Sequence, residues 1–201
     1  GDLTLHSHLR MDGSWHLFGP DALAALRAGR RPRGAPAANH RVRAVLGNDR
    51  RLAVGYDLGM LDLVPTARES LVVGHLGPDL LDPHRDRDEA LSRLLRDPAR
   101  PVGEALLDQR VSAGIGTFYL AETCFLTGTF PWDPVGVLAR PETLLDRAAA
   151  LLWANRERVP QTTTGSTRHG ENSYVYGRGG RPCRRCGTLI RSGEVGVAPQ
   201  A

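Results

Sequence analysis

Apolar and polar residues alternate from the start of the chain, with Leu3, Leu5 and Leu9 on one side and Thr4, His6, His8 and Arg10 on the other. A period of two predicts a half-buried strand with one polar face. Met11-Asp12-Gly13-Ser14 is a turn signal ahead of Trp15, His16 and Leu17. The stretch from Ala28 to Asn39, dense in Arg, Pro, Gly and Ala, predicts a mobile surface loop. Alternation returns where Val42, Ala44 and Leu46 interleave with Arg41 and Arg43. After a turn at Gly47-Asn48-Asp49 a second strand-like run extends from Arg51 to Leu58. These runs predict a sheet forming half of a sandwich.

Near Gly77-Pro78-Asp79 the period changes. Ala90, Leu91, Leu94 and Leu95 mark one face of a helix from Arg87 to Arg96, with Asp86, Asp88 and Glu89 at the positive end of its dipole. Pro101 suits the first position of a second helix whose inner face carries Val102, Ala105 and Leu106. Ser112-Ala113-Gly114-Ile115-Gly116-Thr117 is a glycine turn, and Thr117 can cap a third helix bearing Phe118, Ala121 and Phe125. A fourth helix begins at Pro141, shows Leu144, Leu145, Ala148, Leu151 and Leu152, and ends before Pro160. A polar loop, Gln161 to Ser173, follows.

Composition adds two constraints. The 201 residues suffice for two domains, and a net charge of +4 with a pI near 9.4 is compatible with a polyanionic partner. All 26 basic residues are arginine. Arginine binds phosphate bidentately and stacks on bases, yet an arginine- and alanine-rich chain is also what a GC-biased genome encodes. Without lysine, chemistry that needs an amine nucleophile has only the amino group of Gly1. Three cysteines exclude a disulfide framework. There is no signal segment and no apolar run of about eighteen residues, so a cytosolic protein with no membrane contact is expected.

The candidate chemistry is concentrated in three places. Pro182-Cys183-Arg184-Arg185-Cys186-Gly187 is an arginine-loaded Cys-x-x-Cys knuckle, half of a tetrahedral zinc site, while Cys124 sits in an apolar stretch as a small hydrophobe. The alternative for Cys183 and Cys186 is a pair of free thiols in a tail. Two helices flanking Gly114-Ile115-Gly116 form a helix-turn-helix unit, which presents unpaired amides to phosphate, although a plain structural turn fits the same residues. His6 and His8 share a strand face as phosphate donors or as ordinary surface histidines. Met11 beside Arg10 fits either a core filler or an apolar wedge for a base stack.

In combination, Ser7-His8-Leu9-Arg10-Met11-Asp12-Gly13, His75-Leu76-Gly77-Pro78-Asp79-Leu80-Leu81, Gly103 through Arg110, Ala113-Gly114-Ile115-Gly116, and Val175-Tyr176-Gly177-Arg178 through Cys186-Gly187-Thr188 resemble the formamidopyrimidine-DNA glycosylase and endonuclease VIII family. The likeness runs in order across nearly the whole chain and is similar in dialect to the endonuclease VIII branch of actinobacteria. It implies an α+β fold: the remainder of an N-terminal β-sandwich over residues 1–75, a helix-two-turn-helix domain over 76–160, and a loop with an incomplete zinc-finger β-hairpin over 161–201. It implies a bifunctional DNA glycosylase and AP lyase of base-excision repair. The partner would be double-stranded DNA with damaged bases or abasic sites, bound by a monomer in a bacterial, nucleoid-associated cytoplasm.

By the same resemblance, Arg10-Met11-Asp12 is the turn that enters the base stack, with Met11 the wedge. His8 and Tyr176 are phosphate donors, and Gly114, Gly116 and Thr117 are the phosphate clamp, Thr117 replacing the family's asparagine with a shorter reach. Cys183 and Cys186 are two of four zinc ligands, implying weak or no zinc binding and a frayed tail after Gly187. The family's nucleophile is an N-terminal proline, helped by the adjacent glutamate and a lysine. This sequence instead opens on Gly1-Asp2, at a strand internal to the family. The expectation is that these residues fail to trap on abasic-site DNA under borohydride, whereas a chain with the Pro-Glu start succeeds. The alternative is a catalytically inactive damaged-DNA-binding remnant.

Overall fold

In the computed structural model, residues 2–10, 12–30 and 39–196 are described. The chain divides into two compact units, Gly1–Gly74 and His75–Ala201. The fold is mixed α and β, with the strands in the first unit and the long helices in the second.

In the first unit, β1 (Leu3–His8) pairs antiparallel with β5 (Met60–Pro65), placing His6 opposite Asp62 and His8 opposite Met60. A separate three-stranded sheet has the order β2–β4–β3, formed by Ser14–Phe18, Leu52–Tyr56 and Val42–Gly47. Leu52, Val54 and Tyr56 alternate along β4 and are buried against Ala22 of α1 (Pro20–Arg27), as a period of two requires. The indole N–H of Trp15 on β2 donates to the Ser7 hydroxyl on β1 at 3.2 Å, tying the two sheets together. Of the loop expected from Ala28 to Asn39, residues 31–38 lie outside the described residues.

The second unit begins after the short helix α2 (Ser70–Val73). Helix α3 (Arg87–Leu95) starts at Asp86, whose carboxylate accepts from the Glu89 N–H at 2.8 Å as an N-cap. Ala90 and Leu94 are buried, but Leu95 is 38% exposed and so lies off the expected inner face. Helix α4 (Val102–Leu107) starts one residue later than expected because Pro101 has extended backbone angles and serves as N-cap. Helix α5 (Thr117–Thr127) is capped by Gly116 and not by Thr117, which is the first helical residue; no side-chain cap bond forms. Helix α6 (Pro141–Asn155) buries Leu144, Leu145, Ala148, Leu151 and Leu152 as its period predicts. These residues join Leu106, Ile115, Leu120 and Cys124 in one core.

Residues 188–194 are not frayed. The Cys183 N–H donates to the Thr188 carbonyl at 2.8 Å, Ile190 N–H to Arg181 at 3.0 Å, and Gly180 N–H to Ile190 at 2.8 Å. Farther on, the Trp132 indole donates to the Glu194 carbonyl at 3.1 Å. Among the described residues this segment forms a single antiparallel bridge, Pro182 with Leu189, and no strand.

Candidate nucleic-acid interface

At the end of β1 the chain makes a tight reversal in which the Gly13 N–H donates to the Leu9 carbonyl at 2.9 Å. A β-carbon at position 13 would sit 2.4 Å from that oxygen, so only glycine closes this turn. Arg10 enters the turn in the left-handed region, with φ of 51°, and its side chain lies over Gly59. Met11, the expected wedge, lies outside the described residues. The Arg10 backbone N–H donates to Nδ1 of His8 at 3.0 Å. In the neutral ring this leaves the proton on Nε2, so the exposed His8 side chain presents an N–H donor to solvent. His6 is already engaged, its Nδ1 lying 3.3 Å from the Asp62 carboxylate.

In the second unit, Gly114 adopts φ of 112°, outside the range that L side chains favour. The turn around it is braced by Gln109. Its amide oxygen accepts from the Gly114 N–H at 2.9 Å, and its NH2 donates to the carbonyls of Ile115 at 2.9 Å and Leu107 at 3.1 Å. Pro78 and Leu80 add backbone bonds to Ala113, at 3.0 and 3.1 Å. The turn leads into α5, where Gly114, Gly116 and Thr117 are exposed and the first-turn amides have no intrahelical acceptor. Together they form a braced, exposed helix start.

Asp108, immediately before Gln109, is buried and accepts from Arg100 at 2.9 Å, from Nε and Nη2 of Arg110 at 2.9 Å, and from the Arg110 N–H at 3.0 Å. The Arg110 side-chain bonds, with those from Arg100 and the Arg110 backbone, hold this carboxyl well below the usual carboxylate range against the opposing effect of burial. Gln109 and Asp108 lie in the Gly103–Arg110 motif, but the sequence assigns them no role, because their partners are backbone carbonyls, amides and arginines that no local pattern identifies.

Tyr176 is brought to the same place. Its ring packs edge-on against Phe118 in the first turn of α5, with centroids 5.2 Å apart, and 44% of the residue is exposed. The Tyr174 ring stacks on Phe125 two turns further along. The knuckle follows. Gly187 N–H donates to the Cys183 carbonyl at 2.9 Å, and the Arg185 N–H reaches the Cys183 sulfur at 3.4 Å. The Thr188 hydroxyl and amide, with the Cys183 thiol, lower the Cys186 thiol from its usual range. Cys124, by contrast, is pushed up to about 12 by burial and contributes no ligand. Among the described residues, no group of three His, Cys, Asp or Glu side chains gathers around the pair.

Arg184 and Arg185 of the knuckle are exposed, yet both also contact the protein. Arg184 donates to the carbonyls of Gly170 at 2.6 Å and Ser173 at 3.3 Å, and Arg185 lies 4.6 Å over the Phe125 ring and 5.4 Å over that of Tyr174. Arg178 is buried, donating to Tyr174 at 2.5 Å and Pro182 at 2.9 Å.

No protein-family model matches the chain. It is 52% identical over 198 residues to the probable endonuclease 8 2 of Streptomyces coelicolor, a match covering 98% of this chain and 67% of that protein. It is 44% identical over 196 residues to the DNA-(apurinic or apyrimidinic site) lyase Nei2 of Mycolicibacterium smegmatis, covering 98% of this chain and 72% of the relative. A solved complex between Lactococcus lactis Fpg and DNA containing an abasic site matches with a TM-score of 0.71 at 21% identity, covering 96% of this chain and 71% of that one. That last likeness is one of fold.

Proposed function

Because the chain belongs to the formamidopyrimidine-DNA glycosylase and endonuclease VIII family, we propose that it serves base-excision repair as a DNA glycosylase and AP lyase of endonuclease VIII type. Its partner is then double-stranded DNA carrying damaged bases or abasic sites. The observation that carries this reading is the convergence at the start of α5: a braced glycine turn, unpaired first-turn amides, and a tyrosine hydroxyl carried on Phe118 of that turn.

The proposed roles follow from donor chemistry. The α5 amides at Gly116 and Thr117 receive a phosphate oxygen, with the Thr117 hydroxyl as a short-reach donor. Tyr176 donates its hydroxyl to the same backbone. His8 donates from Nε2, since Nδ1 is occupied by the Arg10 amide. Met11 is the proposed wedge for the base stack on its motif alone. These residues bind and orient DNA, and none of them is assigned the nucleophile. The corresponding organisation is a sandwich remainder over 1–75, a helix-two-turn-helix domain over 76–160 and a zinc-finger segment over 161–201. It would act as a monomer in the nucleoid. No helix among the described residues is long and apolar enough to cross a membrane.

Zinc fits only in part. Cys183 and Cys186 supply two thiolates in a knuckle of the correct local form, and four ligands complete a structural site. No step is routed through the metal. The test is fluorescence anisotropy on a duplex with a tetrahydrofuran abasic-site analogue, between 50 and 200 mM salt. Exposed arginines that neutralise phosphates release counterions, so log K falls as log salt rises, while the neutral donors at His8, α5 and Tyr176 add a share that salt does not change. A flat salt dependence, or affinity no higher than that of a neutral control protein, would overturn the proposal.

A further inference from the structure

Glu122 is fully buried in the middle of α5, and no arginine or histidine pairs with it among the described residues. Its carboxylate is filled from the loop instead. Oε2 accepts from the Thr163 hydroxyl and from the Tyr174 N–H at 2.8 Å, while Oε1 accepts from the N–H groups of Val175 at 2.7 Å and Tyr176 at 2.8 Å. Three successive backbone amides therefore converge on one side chain, with two donors on each oxygen. Only a carboxylate accepts in this way at both oxygens.

The loop is held from its other side as well. The Ser173 hydroxyl donates to the Tyr176 carbonyl at 2.8 Å, and Arg178 donates to the Tyr174 carbonyl at 2.5 Å. On α5, Phe118, Glu122 and Phe125 stand at i, i+4 and i+7 and so share one face. Phe118 carries the Tyr176 ring, Glu122 takes the amides and Phe125 stacks on Tyr174. The start of the same helix carries the Gly114–Gly116 turn.

We infer that Glu122 is a positioning residue for DNA binding, which fixes the Tyr176 hydroxyl relative to the α5 N-terminus so that the two contact the DNA backbone as one rigid unit. The inference rests on the proposed function. Replacing Glu122 would therefore cost affinity through Tyr176, without removing any group that touches DNA. In Glu122→Gln the side chain keeps its shape, but its NH2 faces at least one backbone N–H, so at least one loop amide loses its acceptor.

The experiment uses the full chain, the abasic-analogue duplex and four proteins: wild type, Glu122→Gln, Tyr176→Phe and the double variant. Tyr176→Phe is expected to weaken binding by about tenfold with the salt slope unchanged, because a neutral hydroxyl releases no counterion. Glu122→Gln should do the same with the tyrosine hydroxyl still present, and the double variant should be no weaker than Glu122→Gln alone. Amide hydrogen exchange provides the second readout: protection at residues 174–176 should fall in Glu122→Gln and persist in Tyr176→Phe. If Glu122→Gln does not fold, Thr163→Val, which removes one donor and spares the three amides, should show the same pattern at smaller amplitude. Single-variant losses that multiply in the double variant, or a Glu122→Gln protein with wild-type affinity, would overturn the inference while the proposed function stands. A wild-type chain without salt-dependent DNA binding would overturn both.

Discussion

Replacing Asp108 by Asn should destabilise the second unit in a pH-dependent way. The asparagine keeps one acceptor oxygen for the Arg110 amide and Nε, but its NH2 then faces Arg100 and the second Arg110 nitrogen, donor against donor. The Arg100 bond dominates the estimate, since it links a carboxylate 5% exposed to a guanidinium 24% exposed. The bonds from Arg110, which is 61% exposed, are screened by water and are given no separate weight. A hydrogen bond to a charged group contributes about 1.5–3 kcal/mol, so the loss at pH 7 is about 2 kcal/mol. With a urea m-value of about 2 kcal/mol per molar, the midpoint falls by about 1 M.

The sign with pH follows from the depressed pKa of Asp108. Its contribution is fully present above the unfolded value of about 3.9 and is lost as pH falls toward the folded value, so at pH 3 the gap should narrow by about 1 kcal/mol. Trp132 and Trp153 lie in the second unit and Trp15 in the first. Urea titration by fluorescence in a Trp15→Phe background therefore reports the second unit. A midpoint unchanged at pH 7, or a gap undiminished at pH 3, would refute the reasoning.

Three further outcomes are expected. His8→Leu, which removes the Nε2 donor, should weaken abasic-duplex binding by about tenfold with the salt slope unchanged; wild-type affinity would count against a phosphate contact. Gln109→Ala breaks three bonds around Gly114 and should cost about 1–3 kcal/mol in urea melts, with faster exchange at the Gly114 amide; unchanged exchange there would show that the brace is dispensable. Treatment with EDTA should leave the thermal midpoint of this chain unchanged, whereas Arg185→Ala, which removes the stack on Phe125, should cost about 1 kcal/mol. A midpoint that drops on chelation would show instead that metal holds the knuckle.

Periodic burial made much of the helical unit legible. The leucines and Ala148 of α6 are buried as their spacing predicts, and β3 and β4 follow the alternation seen at Val42 to Leu58. Helix α1 was not predicted, although Pro20-Asp21 is a start signal, because its eight residues end where the arginine- and glycine-rich stretch begins and show only a short periodic run. Strand β5 was missed because Leu61 and Leu63 alternate with Asp62 on an exposed edge, where pairing with β1 and not burial makes the strand. Tyr176 and the glycine turn could be named from motifs. Gln109, Asp108 and Glu122 could not, since each acts on groups whose nearness exists only after folding.

The arginine-rich knuckle gives the clearest case of a composition signal changed by structure. Arg178 is buried on loop carbonyls, and Arg184 and Arg185, although exposed, are engaged with loop carbonyls and aromatic faces of the second unit. Their contacts fall on residues 170–176 and on Phe125, the same loop and helix that Glu122 joins. Arginine donors thus secure the loop carbonyls while the glutamate secures its amides, satisfying both sides of a backbone that would otherwise be costly to bury. Charge on the surface comes from exposed arginines such as Arg10, Arg168 and Arg181, while the donors fixed by the fold are helix amides, a tyrosine hydroxyl and a histidine N–H. Neutral donors held in fixed directions lose little on binding, so their effect on affinity depends on placement more than on charge. For that reason the coupling between Glu122 and Tyr176 is a sharper test of this interface than removal of any surface arginine.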